Sequence, residues 1–186
     1  CLRSMFQDFS IYEEGYARFT SDKRKVEWLA VRALLKELCG EEKSVSYYPS
    51  GKPYLTDGSA RISFSHTQGY VAVAVHPCKE VAVDIEQYGT RVKRVAHKFI
   101  RGDEQIPIEP LQEIQALLLH WSAKETLYKL LDKEGVDFIR HLQVFPFELV
   151  EEGEFVACEH LTEQNECFPV HYHTHPHYVL TYASRP

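Results

Sequence analysis

The sequence predicts an α+β fold made of two similar lobes, each a long helix packed on a small antiparallel sheet. Two segments, residues 23–38 and 111–131, repeat apolar residues at the three- and four-residue steps of an amphipathic helix. Each segment is followed by several short β-branched or alternating runs that turn residues separate. A helix followed by antiparallel strands, occurring twice, favours an N-terminal lobe at residues 1–88 and a C-terminal lobe at residues 89–186.

Composition and charge exclude several classes of protein. The chain has 186 residues, of which 44% are hydrophobic and 26% charged, unlike a disordered or coiled-coil chain. It contains no run of about 20 apolar residues, which a membrane span requires. The net charge of -6 disfavours bulk binding of nucleic acid. Basic residues nevertheless cluster at Lys23-Arg24-Lys25 and at Arg91, Lys93 and Arg94, which suits a compact anionic ligand.

The cysteines predict a reducing environment. They are widely spaced, odd in number and never form a C-x-x-C pair, so we expect neither a disulfide scaffold nor a zinc site. The sequence also shows no basic-then-apolar leader, and we expect a cytoplasmic location. The five cysteines are Cys1, Cys39, Cys78, Cys158 and Cys167.

Glycine and proline separate the predicted elements of the first lobe. Gly40 ends the first helix, and turns are predicted at Pro49-Ser50-Gly51 and at Asp57-Gly58. The runs between and after these turns are typical of an antiparallel meander packed on that helix. We expect its strands at residues 62–65, 70–75 and 81–86.

The second lobe is predicted to end in a hairpin rich in histidine. We expect strands at residues 142–150 and 154–159 and the hairpin at residues 168–183. Alternating histidines on one strand face could form a metal-ligand array. We favour a turn through Thr174-His175-Pro176, which would separate them. The alternating residues are His171, His173, His175 and His177.

The segment Val83-Asp84-Ile85-Glu86 places two carboxylates on one face of a strand, because alternate strand residues point to the same side. Two adjacent anions repel each other, and a bound cation relieves that repulsion. Taken alone, a pair of solvated acids on an exposed strand explains the pattern equally well.

The second long helix carries Trp121, Glu125 and Lys129 at four-residue steps, so these side chains share one face. Taken alone, Glu125 and Lys129 form an ordinary helix ion pair worth about 0.3–0.5 kcal/mol. If Glu125 lies opposite Asp84 and Glu86, however, the three acids form an all-oxygen site. Such a site suits Mg²⁺ or Mn²⁺ better than zinc.

The motifs and their order resemble those of the 4′-phosphopantetheinyl transferase superfamily. Three blocks of motifs, within residues 23–135, carry the resemblance. The family usually has Gly where this chain has Ala82, and often Ser where it has Thr67, and neither change removes a functional atom. The matching blocks are Gly51-Lys52-Pro53-Tyr54-Leu55 with Phe64-Ser65-His66-Thr67, the D-x-E strand Val83-Asp84-Ile85-Glu86, and Trp121, Lys124, Glu125 and Lys129 of a W-x-x-K-E-x-x-x-K helix.

The resemblance implies an Mg²⁺-dependent enzyme, with Mn²⁺ as an alternative metal. Its reaction would transfer the 4′-phosphopantetheine arm of coenzyme A to a serine of an apo acyl carrier protein or peptidyl carrier domain, releasing adenosine 3′,5′-bisphosphate. The chain is similar to the larger, single-chain type, whose two lobes are related by a pseudo-twofold axis around one active site. We therefore expect a monomer that acts on these partners rather than on nucleic acid or a membrane.

The resemblance also implies roles for individual residues. The metal would be held by Asp84, Glu86 and Glu125. Glu125 would also take the proton of the carrier serine, directly or through a metal-bound water, and Lys129 would stabilise or protonate the leaving phosphate. The expected coenzyme A-binding residues are Arg24 and Arg32, which suit the 3′-phosphate, together with Lys52, His66 and Lys124.

Two other functions are compatible with these motifs. The chain could be a catalytically silent module that binds coenzyme A or a carrier protein, which the complete set of acids and lysines disfavours. It could also be an Mg²⁺-dependent phosphotransferase with another acceptor. The sequence has no Gly-rich P-loop motif, which disfavours a nucleotide kinase of that class.

Overall fold

Four α-helices and three antiparallel sheets make up residues 2–186, the part of the chain that the computed structural model describes. The predicted α+β class is confirmed, whereas the pseudo-twofold relation between the lobes stays a prediction. Cys1 lies outside the described residues. None of the helices within residues 2–186 is long and apolar enough to cross a membrane.

The secondary structure elements follow the chain in two groups. The helices are α1 Ser10–Ala17, α2 Asp22–Cys39, α3 Arg91–Val95 and α4 Pro110–Leu131, with 3₁₀ turns at Leu2–Met5 and Ala96–Lys98. The strands are β1 Val45–Tyr47, β2 Pro53–Leu55, β3 Arg61–Thr67, β4 Tyr70–His76, β5 Glu80–Gln87, β6 Leu142–Val144, β7 Glu152–Glu159, β8 Cys167–His175 and β9 Tyr178–Arg185. β1 pairs with β2, β3 pairs with β4, and the large sheet has the order β5-β9-β8-β7-β6.

The two long helices begin and end where local chemistry permits. α2 ends at Gly40, whose φ of 73° lies in the left-handed region that glycine adopts without strain. α4 begins after Glu109, whose carboxylate accepts hydrogen bonds from the N–H groups of Leu111 and Gln112 at 3.1 and 2.8 Å. α4 is followed by Asp132, also left-handed at φ 48°.

Two strand predictions in the second lobe are wrong at their ends. β6 stops at Val144 instead of continuing to residue 150, and Pro146 lacks the N–H that a strand ladder uses. The hairpin turn falls at Pro176-His177, so His175 stays within β8. The side chain of His171 contacts Glu154 of β7 at 3.1 Å, which gives the exposed histidine face a cross-strand partner within the sheet.

One disulfide contradicts the expectation that the cysteine spacing supports no disulfide scaffold. Cys158 and Cys167 form a disulfide between β7 and β8, with their Cα atoms 4.0 Å apart. The strand register places the two residues directly opposite each other. Register depends on long-range pairing, and the sequence spacing of the cysteines did not reveal it.

β5 lies where the two halves of the chain meet. One edge of β5 pairs antiparallel with β9. On the other edge, the N–H groups of Val83 and Ile85 donate to the hydroxyls of Ser63 and Ser65 of β3, at 3.1 and 3.3 Å. Side-chain oxygens thus satisfy backbone donors that an open strand edge would leave unpaired. The boundary between lobes at residue 88, directly after β5, stays a prediction.

Both faces of β5 are covered, and each has a different neighbour. Ala82 belongs to the large core that contains much of α4. Val83 and Ile85 point the other way and pack with Ala72 of β4. Because side chains alternate along a strand, the residues two and four positions after Ala82 face α4.

Candidate active site

Three hydrogen bonds from two side chains of α4 join this helix to β5. The ammonium of Lys129 donates to Asp84 Oδ1 at 2.8 Å and to the carbonyl oxygen of Val83 at 3.0 Å. About two helical turns before Lys129, the indole Nε1 of Trp121 donates to Glu86 Oε1 at 2.7 Å. The structure therefore brings both strand acids to the helix face that the four-residue spacing predicted.

Asp84 is the most enclosed of these acids, with only 4% of its surface exposed. Its Oδ1 accepts from Lys129 and, at 2.9 Å, from the hydroxyl of Ser65. Its Oδ2 is buried and has no hydrogen-bond partner among the described residues. An unsatisfied buried carboxylate oxygen is costly, so this atom is an acceptor available to a donor or a cation.

Burial and neighbouring negative charge raise the pKa of Glu86 and of Glu125. Burial raises the pKa of Glu86 to about 7, and the charge of Asp84 adds to the rise while the bond from Trp121 opposes it. Burial and Asp84 likewise raise the pKa of Glu125, against the opposing charge of Lys129. The ionised forms of these carboxyls are therefore disfavoured by the surrounding protein. Carboxyls with such raised pKa values are common at functional sites.

The acids fit a hard divalent cation by their chemistry. All of their donor atoms are carboxylate oxygens, and Asp84 Oδ2 is free to accept. Within residues 2–186, however, no three His, Cys, Asp or Glu side chains are arranged so that they could enclose a metal ion. The assignment of Asp84, Glu86 and Glu125 as ligands thus stays a prediction.

Lys124 lies away from this cluster, in contrast to the expected contact with coenzyme A. Its side chain is fully buried, and its ammonium contacts the Glu104 carboxylate at 2.8 Å. The same ammonium donates to the carbonyl oxygens of Phe99 and Phe138, at 2.5 and 3.2 Å. Burial lowers the pKa of Lys124, and the charge of Glu104 opposes that shift. Every donor of this lysine is engaged within the protein, so the structure offers no surface of it to a ligand.

The other residues expected to bind coenzyme A line two adjoining cavities beside the acids. Lys52 and Lys129 line a cavity of about 430 Å³. Arg24, Arg32 and His66 line a neighbouring cavity of about 250 Å³. The residues common to both walls are Gly51, Pro53 and Phe64.

Arg24 and His66 form an exposed pair at one end of this groove. The guanidinium NH1 of Arg24 lies 2.7 Å from His66 Nε2 and donates to Glu27 at 3.2 Å. In this pairing Nε2 is the acceptor, because a guanidinium can only donate. Both side chains are exposed, so an anion from solvent can approach them in addition to the Glu27 carboxylate.

Arg32 and Lys52 are held more firmly. Arg32 is 5% exposed, lies 3.9 Å above the Trp28 ring and donates to the Tyr47 hydroxyl at 2.9 Å. Burial lowers its pKa, and Tyr47 opposes the shift. Lys52 donates to Glu80 at 2.6 Å. The groove therefore contains one exposed Arg–His pair and two cations whose positions the protein sets.

Sequence reasoning assigned no role to four residues that hold the predicted site. Ser65 directly precedes His66 in its motif, and Trp121 lies one helical turn before Glu125, so motif neighbourhood could have suggested both. Tyr47 and Glu80 contact their partners only through tertiary packing, and no local pattern signals them. The four are Ser65, Trp121, Tyr47 and Glu80.

Comparison with known proteins identifies a protein family for the second part of the chain. A family model described as the 4′-phosphopantetheinyl transferase superfamily matches residues 80–183, which include β5, α4 and the large sheet except for the last two residues of β9. The match thus contains the predicted metal ligands and Lys129. No curated protein matches the sequence.

Proposed function

Because this chain belongs to the 4′-phosphopantetheinyl transferase superfamily, we propose that it moves the 4′-phosphopantetheine arm of coenzyme A to a serine of an apo acyl carrier protein or peptidyl carrier domain, in an Mg²⁺-dependent reaction. Membership supports phosphopantetheine transfer in general. The finer proposal rests on one observation above all. Asp84 presents a free buried oxygen beside Lys129, where Glu86 and Glu125 add further negative charge.

Binding of coenzyme A is proposed for the groove lined by the basic residues. Arg24 and His66 are exposed at one end and would contact the 3′-phosphate region, where a guanidinium suits a phosphate. Arg32, which stacks on Trp28 and lines the same cavity, would add a positive charge at a fixed position. Lys52 would lie near the nucleotide, and Lys129 near the pyrophosphate. The diphosphate would thus reach the acid cluster through the end of the groove at Lys129.

The reaction needs a base and a cation at the leaving oxygen. The serine oxygen attacks the phosphorus that carries the pantetheine arm, and the bond from that phosphorus to the oxygen of adenosine 3′,5′-bisphosphate breaks. Glu125 would accept the serine proton, directly or through a water molecule. Lys129 stabilises the charge that grows on the leaving oxygen.

Asp84, Glu86 and Glu125 would hold the divalent ion, which supplies charge neutralisation at the pyrophosphate when bound. The protein's own contribution is to keep these acids in position. Trp121 fixes Glu86, and Ser65 fixes Asp84. The buried Lys124 is better suited to hold α4 in place than to bind coenzyme A.

The test is the intact mass of a panel of apo carrier proteins after incubation with coenzyme A and Mg²⁺. We expect a gain of one phosphopantetheine on at least one carrier, with release of adenosine 3′,5′-bisphosphate. The matched control is Asp84→Asn, which keeps the size of the side chain and removes its charge. Binding of coenzyme A without any mass gain on the whole panel would instead support a silent binding module and overturn the proposal.

A further inference from the structure

A cavity of about 260 Å³ borders α4 on the side away from the acid cluster, and the proposed reaction does not use it. His120 and Ala116 of α4 form one of its walls. An α-helix turns by about 100° per residue, so His120, nine residues before Lys129, leaves the helix on nearly the opposite side. The other lining residues are Gln105, Ile106, Pro107, Pro146, Phe147 and Leu149.

His120 presents an unpaired hydrogen-bond acceptor at this cavity. It is only 3% exposed, and its Nδ1 lies 2.8 Å from the carbonyl oxygen of Ala116. A carbonyl oxygen can only accept, so Nδ1 carries the hydrogen. Burial lowers the pKa of His120, against the opposing bond to Ala116, and favours the neutral ring. The other nitrogen, Nε2, therefore keeps a lone pair, and it accepts no hydrogen bond from the described residues.

The Nε2 atom of His120 is open to the cavity rather than enclosed by protein. Among the described residues, only Asp84 Oδ2 and His173 Nδ1 are fully enclosed side-chain atoms that lack a hydrogen-bond partner. Nε2 lacks a partner without being enclosed, so a molecule in the cavity can reach it. Because an unpaired acceptor in a buried site is costly, Nε2 favours a ligand that carries an O–H or N–H group.

The rest of the wall suits an aromatic ring. Apart from Gln105, it consists of aliphatic side chains, two prolines and one phenylalanine. The ring of Phe147 lies 5.5 Å from that of His120 and stacks on Phe155 at 4.4 Å, so the core holds it in place. An apolar cavity of about 150 Å³ is large enough for benzene. This larger cavity therefore admits one ring with a substituent.

We propose that this cavity binds a neutral molecule with a single aromatic ring and an O–H or N–H group, of the phenol class, and that this group donates to His120 Nε2. The ring would pack on Phe147 and the two prolines. Gln105 is exposed, and its amide would contact a second polar substituent. None of the lining residues is an acid, a lysine or an arginine, so a charged ligand would lose hydration without gaining an opposite charge.

The ligand would connect three segments of the chain. Pro107 lies just before α4, His120 lies in α4, and Phe147 lies between β6 and β7. A molecule that binds only the folded state stabilises it by mass action. The cavity shares no lining residue with the groove proposed for coenzyme A, so both ligands should bind at the same time. This inference does not rest on the proposed function.

The experiment compares phenol with toluene, which has nearly the same size and lacks the donor. Each is titrated into isotope-labelled protein while NMR follows the imidazole nitrogens of His120, which His120→Phe identifies by removing their signals. We expect phenol to bind with a dissociation constant on the order of 1 mM and to shift the Nε2 signal. His120→Phe keeps a ring and removes the acceptor. It should weaken phenol roughly 5-fold, the value of one neutral hydrogen bond, and leave toluene nearly unchanged.

A second pair of variants tests the cavity itself. Ile106→Trp places a larger side chain in the wall and should abolish saturable binding of both phenol and toluene. Ile108→Trp is its matched control, because Ile108 is 94% exposed, lies two residues away and does not line the cavity. This control should bind both molecules like the wild type.

Four results would overturn the site. The first is an Nε2 signal that phenol leaves unchanged up to its solubility limit. The second is equal weakening of phenol and toluene by His120→Phe, and the third is normal phenol binding by Ile106→Trp. The fourth is displacement of phenol by coenzyme A, which would locate phenol in the nucleotide groove. The mass assay of carrier proteins is a separate measurement, so the proposed function is tested independently of these results.

Discussion

Neighbouring residues of α4, Lys124 and Glu125, enter two charged clusters that differ in how completely they are satisfied. Around Lys124, a buried ammonium contacts the Glu104 carboxylate and two carbonyl oxygens. Glu104 in turn accepts from the backbone N–H of Val144 at 2.8 Å. Around Glu125, the carboxyl pKa is raised and Asp84 keeps a buried oxygen without a partner.

The difference distinguishes charged groups that stabilise the fold from charged groups that can bind a ligand. A buried ion pair whose donors and acceptors are all engaged holds chain segments together and has nothing left to offer a ligand. A cluster of like charges that keeps a free oxygen is unstable alone and gains from a bound cation. Adjacent charged residues of one motif can therefore serve different purposes, and the following predictions test this distinction.

The largest effect is expected on stability, at Lys124. Lys124→Met should lower the free energy of unfolding by about 3–5 kcal/mol, because it leaves the Glu104 charge buried and uncompensated. Urea unfolding measures this loss. The double variant Lys124→Met/Glu104→Met should recover most of it, since no charge is then left unpaired. A stable Lys124→Met protein with weakened coenzyme A binding would contradict the structural role.

The next effect is expected on turnover, at Lys129. Lys129→Ala should slow single-turnover transfer by about 100-fold, because a contact to the leaving oxygen strengthens as the bond breaks. Coenzyme A affinity should change little. Lys133 lines the same cavity without contacting Asp84, so Lys133→Ala is the control and should keep its rate. A Lys129→Ala enzyme with a normal rate and reduced affinity would make this lysine a binding group only.

A smaller effect is expected in the groove, at Arg24. Arg24→Ala should weaken binding of coenzyme A by roughly 10-fold, the value of a hydrogen bond to a charged group. Dephospho-coenzyme A, which lacks the 3′-phosphate, should bind both proteins with similar affinity. Calorimetry with the two cofactors checks this. If Arg24→Ala weakened the binding of both cofactors equally, the arginine would contact a part of the nucleotide other than the 3′-phosphate.

The last effect is a change in the pH dependence of stability, at Glu86. Its pKa rises from an ordinary 4.5 to about 7 on folding, so the folded protein holds this proton more tightly than the unfolded chain. Stability should therefore fall as pH rises between these values and level off above them. Glu86→Gln should remove this slope and be more stable than the wild type at pH 8 in the presence of chelator. If the unfolding midpoints of the wild type and of Glu86→Gln changed equally from pH 4 to pH 8, this prediction would be wrong.

The sequence by itself determined the elements that build the site. Periodicity is local, so it located α2, α4 and the strands β3 to β5 to within a few residues. The two-residue alternation of β5 put Asp84 and Glu86 on one face, and the four-residue step of α4 put Glu125 and Lys129 on another. The short α1 and α3 carry too few residues for a periodic signal and were not predicted.

Only the tertiary structure decided which charges meet. The four-residue step put Lys129 on the face of Glu125, but it did not say that this face meets β5. Packing put Lys129 beside Asp84 and Lys124 in the core. The Cys158–Cys167 disulfide depends in the same way on the register of β7 and β8. Contacts between residues that are distant in sequence depend on how the helices and strands pack, and the local spacing of residues does not determine that packing.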